Sequence, residues 1–528
     1  MQLSAAALLL PLAVGLHHGC LGASILAVPV DASHWNTMKV LILELVNRGH
    51  EVTVLRLSNT YYTDEVSSDF HIETVQLPQH KARSKDEIEQ VSLASILQKA
   101  FNDEPRFLSA FWNILESIRR ISGDYVVGIE STFENSTLLG RLQDAHFDLV
   151  LADPFYPGGA ILARYLNLPI IQFGRWLPFE DVHFAVAPSP LSFVPVLNSR
   201  LTDRMTFSER LQNVFLYILG GILGQVYIYS TYDQLCHRYL KTGETMYDLY
   251  KKSDIYLVKM DFVFEFPKPT MPNLVYIGGF QCKPSESLSP ELQKFLDDAD
   301  EGVVIFSLGT LTKTLPAHVA TEVAAGLAKI PQRVIWRYVG KKPSMLGNNT
   351  MLLEWLPQND LLGHSKIKAF IAHGGENGLY EAIYHGVPVI GIPLFGDQYE
   401  NLLRLKVRGA AILLENLKYL TRDQIYNAVK TITEDPSYRY NMKRLSRLHR
   451  DTPIHSKELA VFWVEYVVRN KGAQHLRAAS TELPTYQYLL VDVSVLCFIV
   501  LVFFVYFIWT ILKLIIRKIE FFRKKKTD

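Results

Sequence analysis

The sequence predicts an α/β protein: two doubly wound domains in tandem, facing a cleft, with one membrane-spanning helix near the C-terminus. Three observations carry this. Short apolar runs alternate with helical stretches at the spacing of βαβ units, which implies parallel sheets. The alternation breaks at the Pro-rich pieces FPKPTMPN (266–273) and CKPSES (282–287), then restarts. Finally, Val493 to Leu512 is almost uninterrupted apolar sequence, matching the roughly 20 residues needed to cross a bilayer.

At the N-terminus, Leu3 to Val14 is apolar and small residues follow through Ala23, a secretory signal with cleavage near Gly22. SILAVPV (24–30) is a short buried strand, and Asp31-Ala32-Ser33 is turn-like. His34-Trp35 opens a helix ended by Gly49, and EVTVLRL is the next strand. Parallel sheets hold ligands beyond the C-terminal ends of their strands, so His34 stands at a ligand-facing edge. Residues from about 60 to 125 read as polar helices with weak strand content. FDLVLADPFYPGG is a buried strand stopping at Asp153-Pro154, which puts Asp153 at the same kind of edge and Asp148 at the strand entry. ILARYLNLPIIQFG repeats helix, Pro, strand. FLYILGGILGQVYIY (215–229) is apolar but shorter than a span, a buried or membrane-surface helix.

After the Pro-rich break, EGVVIFSLGT is a strand ending in the turn Ser307 to Thr310. A helix from about Ala317 and the strand RVIWRYVG follow. The most informative stretch is Trp355 to Asn401. AFIAHGG is a strand running into His373 and two glycines, and ENGLYEAIYHG is the helix after it. Glycines at such a turn let backbone N–H groups approach a phosphate, whose charge the helix N-terminus favours. His373 and Asn377 add donors, and Glu381, one turn beyond Asn377, can accept hydrogen bonds from a ribose. Trp355 offers a flat face for a base and Gln358 an amide beside it. Asp397-Gln398 follows the strand VPVIGIPLFG, where an acid and an amide together suit several sugar hydroxyls. A helix near Ser456 to Arg469 leads back toward the first domain.

The ends set topology. Lys513, Arg517, Lys518, Arg523 and Lys524 to Lys526 follow the apolar span, so the tail faces the cytosol and the body lies on the other side. Lys525-Lys526-Thr527-Asp528 resembles the dilysine retrieval code of endoplasmic reticulum membrane proteins. Sequons at Asn135 and Asn348 fit a lumenal body. The net charge of +1 argues against nucleic acid as a partner. Of the 4 cysteines, Cys20 lies in the leader and Cys497 in the span; Cys236 and Cys282 form a disulfide or remain buried thiols.

Taken together, SHW near the start, DPFYPGG, FSLGT, the stretch from Trp355 to Asn401, the span and the dilysine tail resemble UDP-glycosyltransferases of the animal UDP-glucuronosyltransferase type over essentially the whole chain. The resemblance implies a GT-B fold of two Rossmann-like domains. Residues 1–22 would be the signal, 23–280 the acceptor-binding domain, and 281–450 the UDP-sugar domain. Residues 451–488 would be the returning helix and membrane-proximal segment, 489–512 the transmembrane helix, and 513–528 the basic cytosolic tail. Trp355 would stack on uracil, Gln358 would sit beside base and ribose, and Glu381 would bind the ribose hydroxyls. Ser307, Thr310, His373 and Asn377 would hold the diphosphate, and Asp397 and Gln398 the transferred sugar. His34 would be the general base and Asp153 its partner, giving inversion without a metal. Lys259, ahead of Met260-Asp261-Phe262, would pair the donor carboxylate in the place where Arg is usual, although Lys lacks Arg's bidentate fork. Glu376 departs from the small or hydroxyl residue usual at its position; a carboxylate there suits the phosphates only if it points to solvent.

The implied donor is UDP-glucuronate as co-substrate, with no cofactor. UDP-glucose or another UDP-hexose is the alternative donor, and a UDP-sugar-binding membrane protein without turnover the non-enzyme alternative. The acceptor is a small lipophilic alcohol or phenol, with Phe173, Trp176 and Phe179 as candidate pocket residues. The resemblance is compatible with a homo- or hetero-dimer. Asp298-Ala299-Asp300 has the form of an Asp-x-Asp metal motif but sits in a polar FLDDADEG loop and reads as solvated. The chain has neither a G-x-S-x-G elbow nor a P-loop.

Overall fold

A computed structural model describes residues 22–60, 67–78, 107–310, 312, 314–415 and 417–524. The signal segment up to residue 21 and the dilysine pair Lys525-Lys526 lie outside the described residues. The chain divides into two compact units, Met1–Leu476 and Arg477–Asp528.

The first unit contains two parallel sheets. The first runs β1 (Ser24–Val28), β2 (Glu51–Leu57), β3 (His71–Val75), β4 (Leu149–Ala152), β5 (Ile170–Phe173), β6 (Ile255–Val258) and β7 (Leu274–Tyr276), in the order β3-β2-β1-β4-β5-β6-β7. The second runs β8 (Val303–Ser307), β9 (Arg333–Arg337), β10 (Thr350–Leu353), β11 (Ile367–Ala372), β12 (Val389–Gly391) and β13 (Ala411–Leu413), in the order β10-β9-β8-β11-β12-β13. All strand pairs are parallel, and in both sheets the strand order reverses beside the first strand: between β1 and β4 in one sheet, between β8 and β11 in the other. Those switch points open the crevices where doubly wound folds bind ligands.

The central strands read as continuous apolar runs because helices cover both faces of each sheet. Leu149 to Ala152 and Val303 to Ser307 are wholly buried. The helix Ser33–Asn47 packs Met38, Leu41, Ile42 and Leu45 on the first sheet. Beside it lies the helix Ser456–Asn470, burying Ala460, Val461, Val464 and Val467 in the same core. Residue order thus returns to the first sheet after the second is complete. Asp148 sits at the β4 entry, where its carboxylate accepts the Ser24 N–H at 2.9 Å.

The apolar stretch at 215–229 lies in the helix Phe207–Gly224 and a π-turn, Gln225–Tyr229. It is not a buried helix. Asn213, Leu216, Gly220 and Gly224 face the domain, whereas Leu211, Phe215, Ile218, Ile222 and Val226 are exposed at helical spacing. Asn213 pins the inner face by donating to the Leu191 and Val194 carbonyls at 2.9 and 2.8 Å.

In the second unit, the helix Val491–Lys524 continues past the apolar span through the basic segment, with its apolar side chains exposed. A residue-by-residue rise of about 1.5 Å makes it ample to cross a bilayer core of about 30 Å. Cys236 and Cys282 are buried free thiols, not a disulfide, and burial pushes both pKa values up, that of Cys236 to about 12.

Candidate active site

A cleft of about 590 Å³ brings the two switch points together. His34 and Lys259 reach it from the first sheet's side. Ser307, Thr310, Trp355, Gln358, His373, Asn377, Glu381, Asp397 and Gln398 reach it from the second. Asp153 lies behind His34. Asn135 and Asn348 are exposed surface residues outside the cleft lining.

On the first-domain wall, Ala32 takes φ 61°, a left-handed conformation uncommon for a residue with a Cβ, and the chain turns there into the helix that carries His34. His34 Nδ1 meets Asp153 Oδ2 at 2.7 Å, and the other carboxylate oxygen accepts the Phe155 N–H at 3.0 Å. Asp153 is only 2% exposed, so its orientation is set by these bonds. With a carboxylate at Nδ1, the ring carries its proton there and leaves Nε2 as an acceptor.

The second-domain wall is built around His373. Gly309 has φ 79°, and a Cβ there would stand 2.4 Å from the imidazole; one at Gly375 would do the same. Both glycines are therefore required by close approach as well as, at Gly309, by backbone conformation. Burial, reinforced by the Arg337 charge, holds the His373 pKa down at about 4. It is thus a neutral donor near pH 7, not a cation. Its Nδ1 is buried without a hydrogen-bond partner. The helix Glu376–His385 starts just beyond it with its N–H groups at the cleft.

Trp355 is 64% exposed, an unusual state for an indole, and the Arg337 guanidinium lies 5.3 Å from its ring centroid. Gln358 donates to Glu381 at 2.7 Å. Burial pushes the Glu381 pKa up to about 7, the Gln358 amide acting the other way. Gln398 accepts the Leu394 and Phe395 N–H groups at 2.8 and 3.1 Å, which shapes the loop before it. Asp397 accepts from Asn401 at 2.9 Å. Asn377 donates to Thr37 at 3.1 Å, a bond that crosses the cleft.

Three sequence expectations are corrected, at Glu376, Phe173 and Phe179. Glu376 does not point to solvent: its carboxylate lies 3.7 Å from Lys259 Nζ and 3.9 Å from Arg175 Nη1. Phe173 does not line the cleft but is core, packed edge-on against Phe280, because it ends β5 facing the layer formed by the returning helix. Trp176 does line it, stacked beneath Arg175 at 4.5 Å, while Phe179 packs on the outer helix near Gly224. Among the cleft residues that escaped sequence reasoning are Thr37, Arg175 and Arg337. Arg175 and Arg337 each lie at or just past the C-terminal end of a parallel strand, which was the available signal. Thr37 is one helical turn after His34 and carries no motif.

A family model described as "UDP-glucoronosyl and UDP-glucosyl transferase" matches residues 23–527. UDP-glucuronosyltransferase 2C1 of Oryctolagus cuniculus is 40% identical over 476 residues, covering 89% of this chain and 93% of that protein. UDP-glucuronosyltransferase 2A3 of Homo sapiens is 40% identical over 476 residues, covering 89% and 88%. Among solved structures, the calicheamicin glycosyltransferase CalG4 aligns with a TM-score of 0.57 at 19% identity, covering 85% of this chain and 99% of that one. Phytolacca americana UGT2, complexed with UDP-2fluoro-glucose and pterostilbene, aligns with a TM-score of 0.55 at 18% identity, covering 85% and 99%. These structural likenesses show the GT-B fold. With a parallel sheet on each side of the cleft and a family match across nearly its full length, the chain belongs to the UDP-glucuronosyl and UDP-glucosyl transferase family and is a UDP-glycosyltransferase.

Proposed function

We propose that the protein transfers glucuronic acid from UDP-glucuronate to a hydroxyl of small lipophilic acceptors, with inversion and without a metal. The observation that supports this reading is the His34–Asp153 pair, 2.7 Å apart, at one side of a cleft whose other side is lined by Trp355, Gln358, His373, Asn377 and Glu381, the residues we assign to the UDP-sugar. His34 Nε2 takes the acceptor's hydroxyl proton as the oxygen attacks the anomeric carbon. The new C–O bond forms on one face while the bond to the UDP β-phosphate breaks on the other, so an α-linked donor gives a β-product. Asp153 holds the tautomer and stabilises the imidazolium.

Charge on the departing diphosphate is met by neutral donors: His373, Asn377, the hydroxyls of Ser307 and Thr310, and the N-terminal N–H groups of the helix Glu376–His385. Trp355 stacks on uracil with its open face, Gln358 and Glu381 hold the base edge and ribose, and Asp397 and Gln398 grip the sugar. Lys259 meets the donor carboxylate. UDP-glucose is the second reading, favoured by the Lys259–Glu376 contact, which already gives that ammonium an anion. The C-terminal helix anchors a single-pass type I protein in the endoplasmic reticulum, its body lumenal and glycosylated at Asn135 and Asn348, both of which are exposed. The domain limits at 280, 450 and 488 belong to the same reading.

His34→Ala tests the mechanism in a transfer assay with UDP-glucuronate and a simple phenol. Loss of transfer with UDP still bound is expected; undiminished transfer overturns the role given to His34.

A further inference from the structure

We propose that Glu376 sets donor preference by occupying, from within the chain, the Lys259 site that a uronate carboxylate would otherwise take. This rests on the reading of the cleft as the UDP-sugar site.

Glu376 is the first residue of its helix, directly after the His373-Gly374-Gly375 turn. Its side chain enters the cleft and is 11% exposed. One carboxylate oxygen lies 3.7 Å from Lys259 Nζ. The other lies 3.9 Å from Arg175 Nη1 and is buried without a hydrogen-bond partner. Both cations come from the first domain, so the contact is made only when the two walls are brought together.

The two cations differ in availability. Arg175 is 1% exposed and held by both oxygens of Glu265, at 2.5 and 3.1 Å, with Asp181 3.7 Å away. Its charge is already met by these two carboxylates, and Nη1 and Nη2 both donate to Glu265, while Nε has no hydrogen-bond partner. For Lys259, Glu376 is the one carboxylate within 4 Å among the described residues, and 3.7 Å is an ion pair without a hydrogen bond. Of the two, Lys259 is therefore the cation that a ligand carboxylate can reach, and Glu376 is what it must displace.

A neutral hexose leaves the Lys259–Glu376 pair intact. A uronate brings a second carboxylate to one ammonium, and the two anions repel unless Glu376 swings away or takes up a proton. Asp397 and Glu265 also face Glu376, and Lys259 and Arg175 oppose them; burial prevails and pushes the Glu376 pKa up, so its carboxylate takes a proton at a higher pH than an ordinary glutamate does. The device thus disfavours uronate and relaxes as pH falls.

The test compares KM for UDP-glucuronate and UDP-glucose, with one phenol acceptor, in full-length membrane-embedded enzyme. In Glu376→Gln the ratio KM(UDP-glucuronate)/KM(UDP-glucose) should fall about tenfold, the size of one like-charge contact removed from a partly buried site. In the wild type the same ratio should fall on acidification, and in Glu376→Gln it should not. Lys259→Gln should raise the ratio. A ratio that is unchanged or higher in Glu376→Gln overturns the inference. Should that variant not fold, a wild-type ratio independent of pH overturns it equally. A wild type that uses only UDP-glucose, with Glu376→Gln gaining UDP-glucuronate, supports the inference and refutes the donor assigned above. A wild type that uses UDP-glucuronate, with no change in Glu376→Gln, does the reverse.

Discussion

With Glu381 as the proposed ribose-binding acid, nucleotide affinity should depend on pH near neutrality. Its carboxyl lies in the cleft on the helix Glu376–His385, and burial holds its pKa up at about 7 despite the 2.7 Å bond from Gln358. Ribose hydroxyls that donate to the carboxylate favour its charged form and lower its pKa in the complex. The free protein then binds more protons than the complex, so protons compete with nucleotide. Affinity is full above a pH of about 7 and is lost as pH falls through it. With a free-state pKa of about 7, the charged fraction drops from roughly nine-tenths near pH 8 to roughly one-tenth near pH 6. The Kd for a UDP-sugar should therefore rise roughly tenfold between those values, about 1.4 kcal/mol. The pyrophosphate diester of the ligand does not titrate in this window, so the slope reports the protein. Calorimetric titration of UDP-glucose at several pH values measures it, and Glu381→Gln should flatten the curve. A wild-type Kd constant within twofold would refute the argument, as would the same slope in the variant.

Other outcomes follow from the same geometry. Asp153→Asn should lower kcat by about 10²- to 10⁴-fold, because the amide can stabilise the wrong tautomer and cannot balance the imidazolium; single-turnover transfer with a parallel UDP titration separates this from lost binding. Trp355→Ala should weaken UDP binding by about 1–3 kcal/mol, the range for removing one base-stacking aromatic. Because that indole is 64% exposed, its thermal midpoint should barely move in a melting scan. Arg175→Met leaves Glu265 and Asp181 buried with one fewer cation and should destabilise the fold by about 3–5 kcal/mol, read by denaturant unfolding of the lumenal body.

Much of this molecule is written locally in the chain. Most of the parallel strands are apolar runs ended by a turn, so the βα alternation, its restart after the Pro-rich break, and the span at Val493 to Leu512 are legible without coordinates, whereas the polar edge strand His71–Val75 is not. The ligand-facing residues are legible for the same reason: in a parallel sheet the C-terminal edge of a strand is a position in sequence; Asp153, Ser307 and His373 occupy one, and His34 opens the helix that follows one. What the linear chain cannot express is how side chains from distant segments neutralise or bury one another. The His34–Asp153 bond spans 119 positions, and the Asn377–Thr37 bond 340. The burial that makes His373 a neutral donor and Glu381 a near-neutral acid exists only once the chain is folded around them. The apolar run at 215–229 shows the same limit, since periodicity gives a helix but not which face the domain leaves uncovered. Glu376 is the sharpest case. In sequence it is a misplaced acid beside a phosphate turn; only tertiary structure supplies Lys259 and Arg175 from the other domain and turns it inward. Local periodicity and turn chemistry determined the architecture and the positions of the reacting groups, whereas the charges they present were decided by long-range packing, because desolvation and pairing depend on what surrounds a group in space.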